Sequence, residues 1–189
     1  DYAVQVCTGG TVVWTVDEGA DAPGDLHLWT FDSYDTPTIS AKDYGRMSYR
    51  HPTSGLIMDV GESLDDLESV AINRYTGDAY FLISSSITGG PSNSQTLFTY
   101  NLNDAATNVG NIILTVLGHL TRPTSGIAVE SLAYDPVGGR LYSADPLDGN
   151  QNASTTTDNL LSLDIRNLNA NTMAATSWTI VGPMTGASQ

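Results

Sequence analysis

Two stretches of the chain gather enough side-chain oxygens to hold a hard cation. Asp145-Pro146-Leu147-Asp148-Gly149-Asn150-Gln151-Asn152 places Asp145, Asp148, Asn150 and Asn152 around a glycine. Asp17-Glu18-Gly19-Ala20-Asp21, continued to Asp25, brings Asp17, Asp21 and Asp25 together with Glu18. Calcium takes several oxygen ligands and tolerates irregular geometry, so both stretches are candidate calcium loops. Neither has the spacing of an EF-hand, whose bidentate Glu at the twelfth position is missing. Asp side chains also bond nearby backbone amides in turns, the simpler reading of Asp145 and Asp148. The corresponding stretch between these two, residues 84 to 94, carries no acid and reads as a connector.

Nucleophilic catalysis needs a Ser or Cys with a His base and an orienting acid. The only imidazoles are His27, His51 and His119, the single cysteine is Cys7, and no GxSxG elbow occurs. Cys7 reads as an incidental small residue in a turn. With one cysteine there is no internal disulfide, and no Cys/His cluster suits zinc. Acid-base work by paired carboxylates would fall to Glu68 with Glu130 or Asp66. The tryptophans and tyrosines sit at strand positions and read as core. Asn152-Ala153-Ser154 is an N-glycosylation sequon compatible with secretion.

The elements that must position these residues emerge from internal repetition. Glu68-Ser69-Val70-Ala71-Ile72-Asn73 recurs as Glu130-Ser131-Leu132-Ala133-Tyr134-Asp135, each followed by a glycine turn and a tyrosine, at Tyr80 and Tyr142. Leu28-Trp29-Thr30-Phe31-Asp32 recurs as Leu97-Phe98-Thr99-Tyr100-Asn101 and Leu160-Leu161-Ser162-Leu163-Asp164. Ile57-Met58-Asp59-Val60-Gly61, Leu114-Thr115-Val116-Leu117-Gly118 and Trp178-Thr179-Ile180-Val181-Gly182 read as a third shared strand. The N-terminus aligns by setting Ala3-Val4-Gln5 on Ala71-Ile72-Asn73 and Val12-Val13-Trp14 on Tyr80-Phe81-Leu82. The chain is therefore expected to be one domain, residues 1–189, of three repeats at approximately 1–65, 66–127 and 128–189.

Each repeat reads as four antiparallel strands, and that pattern at a fixed period is the mark of a β-propeller blade. A β-sandwich would not require it three times. The expected fold is all-β: three four-stranded propeller blades, as an open unit or as half of a six-bladed ring. Strand order then sorts the loops. Second-to-third-strand loops and the linkers between repeats share one face, which collects twelve acids against Arg122. The opposite face, with Arg46, Arg50, Arg140 and Arg166 among its charges, is near neutral. The 189 residues hold 21 acidic and seven basic side chains, a formal charge of -14, which repels a phosphate backbone. Nucleic acid is excluded as a partner. No apolar run approaches a membrane span, and the start at Asp1 implies a processed or excised chain.

The strings Leu67-Glu68-Ser69-Val70-Ala71, Val129-Glu130-Ser131-Leu132-Ala133-Tyr134-Asp135-Pro136 and Leu160-Leu161-Ser162-Leu163-Asp164 resemble the repeats of secreted bacterial β-propellers, including the phytase-like and esterase-like group. That resemblance implies the propeller fold, an extracellular or cell-surface setting and, in phytase-like members, calcium held by acids near the central channel. Glu68 and Glu130 are the matching positions, and in the first repeat the match would fall before Asp1. The expected function is a non-catalytic extracellular module acting through self-assembly or adhesion and stabilised by calcium. Its partners are a second copy, as homodimer or head-to-tail polymer, or the rest of a longer propeller. The alternative is a calcium-dependent hydrolase of the phytase-like or lactonase-like kind.

Overall fold

A computed structural model describes residues 3–6, 12–17, 26–32, 41–64, 67–121, 129–145, 159–168 and 170–184; for 3–6, 12–17, 31–32, 62 and 63 it describes the backbone. Three four-stranded antiparallel meanders follow one another along the chain. The first is β1 (Ala3–Val6), β2 (Val12–Asp17), β3 (His27–Asp32) and β4 (Ala41–Arg50). After a short β5 (Ile57–Asp59) and one helical turn at Val60–Ser63 comes the second: β6 (Leu67–Ile72), β7 (Asp78–Ile83), β8 (Ser94–Asn101) and β9 (Ile112–Thr121). The third is β10 (Ala133–Asp135), β11 (Arg140–Asp145), β12 (Asn159–Asp164) and β14 (Thr179–Pro183), with β13 (Ala175–Ser177) in the connection before its last strand. These are propeller-like blades, and the all-β expectation holds. Their first strands lie in a row, β1 beside β6 and β6 beside β10.

Local chemistry repeats with the strands. Asn73 and Asp135 each accept the N–H two residues ahead, from Tyr75 at 3.1 Å and Val137 at 2.9 Å, opening the turn between first and second strands. Asn101 and Asp164 likewise cap the 3-10 turns that follow the third strands, accepting from the amides of Asn103 and Arg166. Asx side chains do this because their carbonyl or carboxylate reaches a backbone N–H without leaving the turn.

One irregularity recurs in all three blades. Opposite Leu28, Leu97 and Leu160 the last strand carries an extra residue followed by a glycine: Tyr44-Gly45, Leu117-Gly118 and Val181-Gly182. Their φ values are +108, +148 and +156, a region in which a Cβ is disfavoured. Such bulges bend the outer strand and increase its twist. This corrects the sequence alignment of the first repeat. Its last strand is β4, and the counterpart of Gly118 and Gly182 is Gly45, not Gly61. Val60, expected to match Leu117 and Val181, lies in the helical turn and is fully buried, whereas Val181 is 55% exposed. The N-terminal alignment also moves by two residues. Trp14 faces Thr30 as Tyr80 faces Thr99, and Gln5 faces Trp14 as Ala71 faces Tyr80. Ala3 then matches Ser69, so any counterpart of Glu68 lies outside the described residues.

The bend at Gly45 carries β4 past the end of β3, where Met47, Ser48 and Tyr49 pair in parallel with Ile112, Ile113 and Leu114 of β9. Further along, the same strand β9 pairs in parallel with β13, His119 opposite Ala175. The blades are thus joined edge to edge as well as face to face. Two apolar cores lie between them. The first packs Leu28, Met47 and Tyr49 against Phe81, Phe98 and Leu114; the second packs Ala71, Tyr80, Leu82, Leu97 and Leu120 against Leu141, Leu161 and Leu163. Tyr49 meets Phe98 with ring centroids 5.3 Å apart, and Tyr80 stacks on Tyr134 at 5.4 Å. Burial raises the Tyr80 phenol above its ordinary pKa, with Tyr134 and Asp78 adding to the effect.

A Cβ built on Gly45 would lie 2.7 Å from the Cα of Gly110, whose amide donates to the Tyr44 carbonyl at 2.6 Å. Gly45→Ala should therefore lower stability by about 1–3 kcal/mol from the backbone conformation alone, and further through the clash with backbone. Gly182→Ala meets nothing within 4 Å and should cost less. Urea denaturation of the two variants gives the comparison.

Candidate functional site

The candidate calcium loops leave the blades at equivalent strand ends. Asp17, Ile83 and Asp145 each end the second strand, opposite His27, Thr96 and Asn159 of the third. Both candidate calcium loops thus spring from the same structural position in the first and third blades, each introduced by an aspartate. Asp145 is buried, 1% exposed. Asp148, Asn150 and Asn152, like Asp21 and Asp25, lie outside the described residues, as do Cys7 and the sequon; of Asp17 the backbone alone is described. Glu68 is the extra residue of a bulge in β6, between Leu67 and Ser69, and is half-buried. Glu130 precedes β10 and is exposed. Asp145 and Glu68 therefore stand on different strands of their blades. Among the described residues no group of three His, Cys, Asp or Glu side chains is placed to hold a metal. The all-oxygen donor set of 145–152 suits calcium rather than a transition metal, with Asp145 as its described member.

The two-sided sorting of loops has direct contacts behind it. On the acidic side, His51 just after β4 reaches the loop after β7, its Nε2 donating to the Thr88 carbonyl at 2.9 Å. On the other side, the Leu102 amide donates to the Gly77 carbonyl at 2.9 Å, tying the connection after the third strand to the turn between the first two. Because β4 is a last strand, Arg50 belongs with the acidic side, where it donates to the Gly55 carbonyl. Arg46 lies within β4, 3.2 Å from Asp59. On the near-neutral side, Asp164 has structural partners among the described residues. Asp164 receives Arg166 at 2.7 Å and has Arg140 at 3.7 Å.

The three histidines are far from a triad. His51 Nδ1 lies 3.2 Å from the amides of Thr53 and Ser54, so the ring ties its own turn to the loop after β7 and acts as a brace. His119 is fully buried, its ring nitrogens have no hydrogen-bond partner among the described residues, and burial lowers its pKa, with His51 contributing. His27 Nδ1 lies 2.9 Å from Asp43 and its ring stacks on Trp29.

What sequence reasoning missed is a buried amide clasp. Gln95 is fully buried; its Nε2 donates to the Val129 carbonyl at 3.0 Å and its Oε1 accepts from the Val129 amide at 2.8 Å. A side-chain amide thereby takes the place of a strand neighbour and fixes the linker into the third blade. Ser69 of the repeated Glu-Ser pair does related work, its Oγ accepting from the Leu132 amide at 3.0 Å. The serine of that pair thus bonds one blade to the next.

No family model matches the chain, and no curated protein matches it. Among solved structures it is similar to a chain from the crystal structure of a nidogen/laminin complex, with a TM-score of 0.34 and 11% identity. The match covers 85% of this chain and 60% of that one, so this chain spans less than two thirds of its neighbour.

Gln95→Leu should cost roughly 2–4 kcal/mol, because two buried backbone groups of Val129 lose their partners. Denaturant titration would read this, and Val129 amide exchange should accelerate. The Arg166 side-chain hydrogen bond, joined by one from the Arg166 backbone N–H and by the charges of Arg166 and Arg140, holds the Asp164 carboxyl down at about 2 against an ordinary 3.8. Its folded-state pKa is depressed, so its contribution to stability is complete above the ordinary carboxyl range and disappears as pH falls through about 2. Carboxyl NMR titration should place Asp164 there, and Arg166→Gln should raise it.

Proposed function

We propose that this chain is a non-catalytic propeller module that works by assembly or adhesion, in an extracellular or cell-surface setting like that of secreted bacterial propellers, with calcium as a stabiliser at the loop beginning at Asp145. The observation that carries the reading is the unequal covering of the blades. The second blade is packed on both faces, whereas the third leaves Ala133 and Met184 exposed on its outer face and Val181 of its last strand, β14, 55% exposed. Twisted sheets with an open edge and an uncovered face associate unless something covers them.

Calcium enters through the chemistry of the donors, since oxygen ligands from one loop would pin the ends of β11 and β12 together. Binding to the folded chain alone raises stability by RT ln(1 + [L]/Kd), about 2.7 kcal/mol at a hundredfold excess over Kd. Melting should therefore move upward from EDTA to millimolar calcium; an unchanged midpoint removes calcium from the proposal.

Assembly is tested apart from calcium by light scattering at micromolar concentration. The expected result is a species of twice 20.0 kDa or larger. A stable monomer of 20.0 kDa under these conditions overturns the assembly reading.

A further inference from the structure

The register shared by the three blades allows each position to be compared across them. The face of the second blade that packs on the third presents Ala71, Tyr80, Leu82, Leu97 and Leu120, all buried. Counting from the common bulge glycine and along the strand pairs, the same five positions in the third blade are Ala133, Tyr142, Ala144, Leu160 and Met184. The residue types are nearly the same, alanine with alanine, tyrosine with tyrosine, leucine with leucine. Their surroundings are not: Ala133 is exposed, Tyr142, Ala144 and Leu160 are half-buried, and Met184 is 42% exposed. The third blade thus carries a second copy of the surface that binds a blade, with none of the described residues covering it.

The matching receptor surface is also in the chain. The faces that receive a preceding blade place Phe98 in the second blade and Leu161 in the third at one position, both buried. The first blade has Trp29 there, half-buried, its indole N–H enclosed without a hydrogen-bond partner among the described residues. Around Trp29 lie His27, whose ring stacks on it, and Ala41, Asp43 and Arg46 of the outer strand, an aromatic anchor among polar groups such as protein interfaces use.

Resting on the assembly reading above, we infer that the outer face of the third blade docks on the Trp29 face of the first blade of another copy of this chain, repeating the blade-to-blade packing already made twice within one chain. The contact is heterologous, third blade to first. Two copies making it twice close a ring of six blades, and copies making it once each form a head-to-tail polymer.

Met184→Glu and Ala41→Glu each put a charge on one of the two surfaces at an exposed position, so the fold should survive, as circular dichroism and urea midpoints would verify. Leu160→Glu and Trp29→Glu are the stronger second pair. By sedimentation velocity at a concentration where the wild type assembles, each variant alone should be a monomer. An equal mixture of Met184→Glu with Ala41→Glu should restore a species of about twice 20.0 kDa, because one intact contact remains between the two variants. If the Ala41→Glu and Trp29→Glu variants assemble as the wild type does while the blade-three variants do not, the contact is a symmetric pairing of third blades and the inference falls. It also falls if all four variants assemble unchanged, or if the mixture stays monomeric. A wild type that never assembles defeats the assembly reading itself.

Discussion

Phe81 and Phe98 face one side of the second blade, Tyr80, Leu82 and Leu97 the other, and all five are buried. A sheet apolar on both faces has no stable solvated state, so it must lie between two other layers. At roughly 25 cal/mol per Å² of apolar surface withdrawn from water, each face outweighs any single hydrogen bond here. The first and third blades are the layers that satisfy this requirement, and their own positions follow from it. The glycine bulge is what lets the packing repeat, since it bends each outer strand at the same place relative to the leucine of the third strand.

Hydrogen bonding then fixes the arrangement that burial demands. Gln95 on Val129, Ser69 on Leu132 and His51 on Thr88 are contacts between segments far apart in sequence. Each satisfies backbone groups in linkers that belong to no ladder, where an unpaired donor or acceptor would be costly. The parallel pairs of β4 and β13 along β9 close an edge that would otherwise be open.

The third strands were legible in the sequence because all of them retain a period-two pattern with leucine at the bulge. The glycine strands of the second and third repeats were legible for the same reason. The first repeat misled, and the cause is physical. β4 reads Ala-Lys-Asp-Tyr-Gly-Arg-Met-Ser-Tyr-Arg, polar on the side where no blade of this chain lies, so it lacks the apolar run that marks β9. Ile57 to Gly61 imitates that run, yet its valine serves a buried helical turn. Glu68 drew attention as a carboxylate repeated at Glu130, and its neighbour Ser69 makes a bond to the next blade that the repeat alone did not reveal. The Gln95 clasp could not be read at all, because nothing local to Gln95 specifies a partner at Val129. For the candidate calcium loops, the structure adds that both begin at equivalent strand ends.

The central claim is that each blade is held by the next through one repeated face, and that none of the described residues covers this face on the third blade. Amide hydrogen exchange followed as the protein concentration is raised tests it most directly. The account predicts that amides of Phe81, Leu82, Leu97 and Phe98 exchange slowest at every concentration, while those of Tyr142 and Leu160 are faster in the dilute monomer and slow as concentration increases. Amides of the third blade as slow as those of the second in the dilute monomer, and unmoved by concentration, would contradict it.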